Sequence, residues 1–270
     1  MMKKIITTAI ILLTLVVHAQ SKKFTYNLKG ITNVKIDTDT KVKLTATNKS
    51  ELTISNRYEN EYCGDCKHDQ DDAYAKKLEE KTKGLTAIYP GGKDNTNGFG
   101  LSVEKEGTTL VIIDLKSHLQ RSGLSISLPK NINITIDTGN LGSLEMTGFT
   151  GEVEAKTNTG LIKMTDVTGP ITAHSNVGNI NIEFSKVNQS SPITISTSVS
   201  EIDVSIPGST KANLELNTQG TVYTNFDIEV PKKDGLKAVR GSKKITSALN
   251  SGGVKIKLKS SLGNIYLRKN

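Results

Sequence analysis

Four segments of the chain carry one pattern: two apolar residues two apart, a four-residue turn, then two more apolar residues two apart. They are Val153, Ala155, "TNTG", Ile162, Met164; Ile171, Ala173, "SNVG", Ile180, Ile182; Ile193, Ile195, "TSVS", Ile202, Val204; and Ile256, Leu258, "SSLG", Ile265, Leu267. In each, the first apolar residue precedes the last turn residue by seven positions and the next apolar residue by nine. A fifth segment (Leu214, Leu216, "NTQG", Val222) is one residue shorter, and a sixth (Ile134, Ile136, "TGNLG", Leu144, Met146) is one residue longer. "MTGFTG" (Met146 to Gly151) and "MTDVTG" (Met164 to Gly169) mark a second corner, again 18 residues apart.

Alternation at period two specifies strands rather than helices. Self-similarity at about 20 residues is the mark of stacked supersecondary units that bury a continuous apolar column together. The expected fold is all-β: a single-stranded parallel β-helix or β-solenoid, with coils of about 18–22 residues and two or three short strands per coil. A sandwich of short hairpins also shows frequent turns. Corners that recur in register favour the solenoid. Ile162, Ile180 and Ile202 are then expected to line one interior column, with Thr172 facing outward. Corner glycines are expected to supply positive φ, and Ser, Thr and Asn beside them to form ladders from coil to coil.

"GEVEAKTNTGLIKM", "SPITISTSVSEIDVSIP" and the terminal "LNSGGVKIKLKSSLGNIYL" resemble the bacterial putative-adhesin family of β-strand repeats, common in Bacteroidetes-type envelopes. The resemblance is clearest from Leu128 to Asn270. It implies an exported, right-handed β-helix-like domain with an adhesion role, and it brings no catalytic residues to carry over.

The division of the chain expected from these patterns is a signal peptide at 1–19, an N-terminal β region at 20–128 and regular repeats at 129–270. The leader reads from basic Lys3 and Lys4, the apolar run Ile5 to Val17 and the small-x-small site Val17-His18-Ala19. No second apolar run follows, so no transmembrane segment is expected once the leader is removed. Within the N-terminal region, Val34, Ile36, Val42, Leu44, Leu52 and Ile54 alternate before a polar insertion at 56–84. Asp71 and Asp72 ahead of "AYAKKLEEKTK" favour a short helix there, ending at Gly84. "GGKDNTNG" reads as a flexible loop, and "LSVEKEGTTLVIIDLK" as a hairpin turning at Glu106-Gly107. With only seven Tyr, five Phe and no Trp, the core has to be built from Ile, Leu and Val.

Cys63 and Cys66, in "CGDCKH", are the only cysteines. In an exported chain they are expected to form a short disulfide loop. Haem attachment needs CxxCH, and Lys67 intervenes before His68. A metal site would need a second ligand pair, which the sequence lacks. Asp114, Ser117 and His118 crowd together in "DLKSH" without the GxSxG elbow of a hydrolase, and are expected to form a solvated strand end. His174, at an outward position between Ala173 and Ser175, is expected to be a surface or a ladder residue. No catalytic residue, metal or cofactor emerges.

The net charge is +8, unevenly placed: from Pro231 to Asn270 eleven Lys and Arg face one acid, Asp234. In "VKIKLK", inward Val254, Ile256 and Leu258 turn Lys255, Lys257 and Lys259 outward in a row. Two readings of that row stand side by side. It is either a face for anionic ligands, or protection of an exposed last coil against edge pairing. Lys232, Lys233, Lys243 and Lys244 add to the same end. The reading as a whole is a non-enzymatic exported protein of the periplasm, outer membrane or cell exterior. Its expected partners are envelope glycans, anionic lipid headgroups or surface proteins, with no nucleic acid. The alternatives are a periplasmic accessory of an envelope-sensing system and a polysaccharide-active β-helix enzyme.

Overall fold

The computed structural model describes residues 22–56, 77, 80–85, 87–117, 123–228 and 243–270. Wherever apolar and polar residues alternate there, a strand forms. The first are β1 (Lys23–Asn27), β2 (Asn33–Asp37), β3 (Val42–Thr47) and β4 (Glu51–Asn56). After the insertion come β5 (Leu101–Glu106), β6 (Thr109–Asp114) and β7 (Leu124–Pro129). The repeats then give β8 (Asn133–Asp137), β9 (Leu144–Thr147), β10 (Val153–Thr157) and β11 (Ile162–Val167). They continue with β12 (Ile171–Ser175), β13 (Ile180–Phe184), β14 (Ile193–Thr197) and β15 (Ile202–Ile206). The chain closes with β16 (Ala212–Thr218), β17 (Val222–Thr224), β18 (Lys243–Leu249), β19 (Val254–Ser260) and β20 (Ile265–Lys269).

The strands form two ten-stranded sheets, mostly parallel, with no closed barrel. Sheet A runs β1-β4-β7-β3-β9-β11-β13-β15-β20-β17, and sheet B runs β18-β16-β19-β14-β12-β10-β8-β2-β6-β5. Eight successive strand pairs, β2–β3, β6–β7, β8–β9, β10–β11, β12–β13, β14–β15, β16–β17 and β19–β20, each place one strand in sheet B and the next in sheet A. We call each pair a coil. The inner faces of both sheets share one apolar core.

Register makes that core columnar. Leu124, Val42, Leu144, Ile162, Ile180, Ile202 and Ile265 lie in line across sheet A, as expected for Ile162, Ile180 and Ile202. All are at most 1% exposed, so a charge at any of them would have no solvent. Thr172, between buried Ile171 and Ala173, is exposed. Phe99, Phe149 and Phe184 are the largest fully buried side chains, and Ile and Leu fill the rest.

The corner glycines correct one expectation. Gly142, Gly160, Gly178, Gly220 and Gly263 are not among the positive-φ residues. Their requirement is close approach: a Cβ on Gly160 would fall on the Gly142 carbonyl oxygen, and one on Gly178 on the Gly160 carbonyl. Ser200 occupies the same corner position in "TSVS", and its hydroxyl donates to the Val177 carbonyl. Positive φ falls instead on Gly139 (φ 62) in the longer turn "TGNLG" and, at the second corner, on Gly148 (φ 84) and Asp166 (φ 54) in equivalent places; aspartate is among the residues that tolerate this region.

The polar ladders take two forms. On the surface, Asn158 Nδ2 donates to Asn140 Oδ1 (3.1 Å) and Asn176 Nδ2 to Asn158 Oδ1 (2.7 Å). In the interior, Thr157, Ser175, Ser260 and Thr218 accept from the corner amides of Gly160, Gly178, Gly263 and Gly220 at 2.8–3.2 Å. Burying these hydroxyls is tolerable because each satisfies a backbone group that would otherwise be orphaned.

Coil order is the larger correction. The middle coils stack in chain order, but both ends exchange places. β2–β3 lies between β6–β7 and β8–β9, and β19–β20 lies between β14–β15 and β16–β17. Antiparallel strands finish the ends: β4 on β7, β1 on β4, β5 on β6 and β18 on β16. The β5–β6 hairpin turns at Gly107, as read. The loop read as flexible is instead pinned. Asn95 exchanges two hydrogen bonds with the Val103 backbone (2.8 and 2.9 Å), and Phe99 is buried. Of the expected helix, residues 77 and 80–82 are described and are helical. Residues 1–19, with the expected leader, lie outside the described residues, as do Cys63 and Cys66.

Candidate functional site

Sheet B carries the predicted lysine row. Val254, Ile256 and Leu258 are buried and Lys255, Lys257 and Lys259 turn outward, as alternation requires. The row does not lie on an exposed last coil, however. β19 has β14 on one side and β16 on the other, so the edge-protection reading of these three lysines is overturned. The edge strand is β18, which begins with Lys243 and Lys244.

The same exchange brings Glu215 into the row. Lys255 Nζ lies 3.1 Å from its carboxylate, Lys257 Nζ 3.6 Å and Lys244 Nζ 3.7 Å. The hydrogen bond from Lys255, with the charges of Lys244 and Lys257 beside it, holds the Glu215 carboxyl below its ordinary value of 4.5. Three outward lysines therefore share one carboxylate, with Lys259 further along the same row, and positive charge remains in excess. A hollow of about 460 Å³ adjoins the group, lined by Asn213, Glu215, Thr246, Ser247, Ala248 and Lys255. Lys232 and Lys233 lie outside the described residues.

On the opposite face of the same coils, sheet A carries a cluster that the sequence reading missed. Tyr223 of β17 and Tyr266 of β20 stack with centroids 5.2 Å apart and planes 11° apart. Arg268 lies over Tyr266 at 5.5 Å and is held by Asp203 of β15 through two bonds of 2.7 and 2.8 Å. Tyr266 Oη and Asn264 Nδ2 each donate to Glu201 Oε1 at 3.2 Å. A signal was available: Asp203, Tyr266 and Tyr223 all lie three residues after the last turn residue of their repeats.

At the N-terminal end, Asp114 takes the place in β6 that Thr or Ser takes in the other coils. Its carboxylate accepts from Thr38 Oγ1 (2.7 Å) and from the Lys116 and Ser117 amides (2.9 and 3.0 Å). Burial outweighs these bonds and pushes its carboxyl up from 3.8. Asp114 is therefore not the solvated strand end expected. Ser117 Oγ donates to Asp39 Oδ2 (2.7 Å), which ties the outer coil to the next one rather than aligning a nucleophile. His118 lies outside the described residues. His174 is on the surface, with ring nitrogens 2.9 Å from Ser196 Oγ and 3.2 Å from Asn176 Oδ1.

Among the described residues no group of three or more His, Cys, Asp or Glu is placed to hold a metal ion, and no helix is long and apolar enough to cross a membrane. No family model matches the chain, and no curated protein matches it. The solved structure of a "putative cell adhesion protein" from Clostridium sporogenes is similar over 93% of this chain and 100% of its own, at 14% identity and a TM-score of 0.44.

Proposed function

We propose that the chain is an exported β-solenoid of the cell envelope that works by presenting a binding surface rather than by turning over a substrate. Export rests on the basic, apolar and small-residue pattern of residues 1–19. The ligand is an anionic group, carried by an acidic glycan or a lipid headgroup, and it is taken by Lys244, Lys255, Lys257 and Lys259. One observation carries this reading. Lysines from two strands that both border β16 converge on one outward face around a single carboxylate. Like charges held that close on a rigid sheet repel, and an anionic partner relieves the repulsion.

The test is co-sedimentation with phosphatidylglycerol vesicles and, separately, with alginate, at rising salt. Attachment to one of them should weaken steeply with ionic strength, and replacing Lys255, Lys257 and Lys259 together by Gln should abolish it while the protein stays monomeric. Attachment that survives the triple substitution, or its absence from both probes, would refute the reading.

A further inference from the structure

We infer that the Tyr223–Tyr266 stack is a second binding site, for a neutral oligosaccharide. The inference rests on the reading of the chain as a surface-binding protein, but not on the lysine face. Aromatic residues are scarce in this chain, and a core of this kind has use for them. Two tyrosines nevertheless stand on the outward face of sheet A, side by side.

Tyr266 is locked on every side: Tyr223 stacks on it, Arg268 lies over it, and Glu201 takes its hydroxyl. Arg268 is itself fixed by both oxygens of Asp203. Ordering an aromatic group before the ligand arrives removes much of the entropic cost of binding. Tyr223 is the open end of this assembly. It is 51% exposed, and β17 is the edge strand, so no further strand covers its outer face among the described residues.

Polar groups with unused capacity flank the stack. Both bonds to Glu201 fall on Oε1, which leaves Oε2 without a partner among the described residues. Arg268 bonds through Nε and Nη2, which leaves Nη1 without a partner among the described residues. The Tyr223 hydroxyl has no partner among the described residues. A pyranose offers the complement: a flat face of C–H bonds for an aromatic ring, and a rim of hydroxyls that both donate and accept. With neighbouring strands about 4.8 Å apart, β17, β20 and β15 span about two sugar residues. One sugar stacks on the open Tyr223 ring, and the next lies along the face toward Glu201 and Arg268. The charge points to a neutral ligand. Two carboxylates and one guanidinium line this face, whereas the acidic ligand proposed above belongs to the basic face on sheet B.

The experiment is affinity electrophoresis of the mature protein in gels containing barley β-glucan, xylan or galactomannan. Retardation is expected in at least one gel. Tyr223→Ala should raise the apparent dissociation constant about tenfold, and Glu201→Gln should raise it less. The Lys255, Lys257 and Lys259 triple substitution should leave it unchanged, so the two sites can fail separately. Thermal melts of each variant establish that the fold survives. The inference is overturned by no retardation in any gel, by retardation that Tyr223→Ala does not change, or by a Tyr223→Ala effect confined to size-exclusion elution, which would make the stack a contact between copies of the chain.

Discussion

The middle coils and the terminal coils are built from the same repeat and solve different problems. From β8 to β15, each coil covers the one before it and the apolar columns run through all of them, while the corner glycines and the Asn ladder run from Asn140 to Gly178 and give way to Ser198 and Ser200 in the last of these coils. At either end a coil has no successor, and its apolar face and strand edges would lie open. Both ends respond in the same way. An outer coil is laid down so that another coil fits inside it, and antiparallel strands extend the sheets beyond the outer coil, except in sheet A at the C-terminal end, where β17 is the edge. The contrast teaches that a repeat specifies how coils pack but not how a stack of them stops. In this chain both ends are also the places where chain order departs from spatial order.

The contrast can be tested most sharply at the C-terminal end, where the expected effect is all-or-none. In a chain with Cys63 and Cys66 replaced by Ser, Thr194→Cys with Lys257→Cys should form a disulfide on mild oxidation, because β14 and β19 pair at those residues. Thr194→Cys with Glu215→Cys should not, since β19 separates their strands. Quantitative thiol titration or mass spectrometry reads the result, and the reverse outcome would restore coil stacking in chain order.

In the middle of the stack, Ile180→Asp places an unpaired charge between Ile162 and Ile202 and should cost about 3 kcal/mol or more. Thr172→Asp, facing outward, should cost less than about 1 kcal/mol. Urea unfolding midpoints compare the two. Gly160→Ala should come next, at about 2–3 kcal/mol, because its Cβ meets backbone on a column that cannot shift. Gly220→Ala, at the open end, meets Gly263 O at 2.8 Å and should cost less than half as much. Equal costs would mean that the end is as rigid as the middle.

The smallest effects distinguish the two ends by the sign of their pH dependence. Asp114 binds its proton more tightly in the fold than in the unfolded chain. Its contribution is therefore full below pH 3.8 and is lost as pH rises through the raised folded value. Glu215 has the opposite sign: its contribution is full above pH 4.5 and is lost as pH falls through the lowered folded value. Asp114→Asn should flatten the first slope and Glu215→Gln the second in unfolding curves measured from pH 3 to 6. A variant that leaves its slope unchanged would break the assignment.

Facing was legible because it is local: with side chains alternating, Ile180 and Lys257 had to lie on opposite sides of their strands. Equivalence of corners was legible too, since equal spacing puts Gly142, Gly160 and Gly178 in one column. The role of those glycines was misread because the obstacle is the carbonyl of another coil, and no property of a single turn reveals it. Glu215 escaped notice because it lies 40 residues before Lys255, and nothing in the interval states that β16 will flank β19. Asp114 looked like an exposed strand end because it is charged. Its half-burial follows from Thr38, which belongs to a coil that the chain built much earlier and then enclosed.

The sequence by itself determined the all-β class, the apolar columns, the outward lysines and the length of each coil. These depend on period-two alternation and on spacing, which every residue carries with it. Tertiary structure alone decided which coil neighbours which, and with that Glu215 among the lysines, Tyr223 on Tyr266, and Asp114 beneath Thr38. The physical reason is that the inner faces of the coils are nearly interchangeable. Ile, Leu and Val at matching positions stack equally well in several orders, so the order is selected by how the two ends are closed, a property of the whole stack.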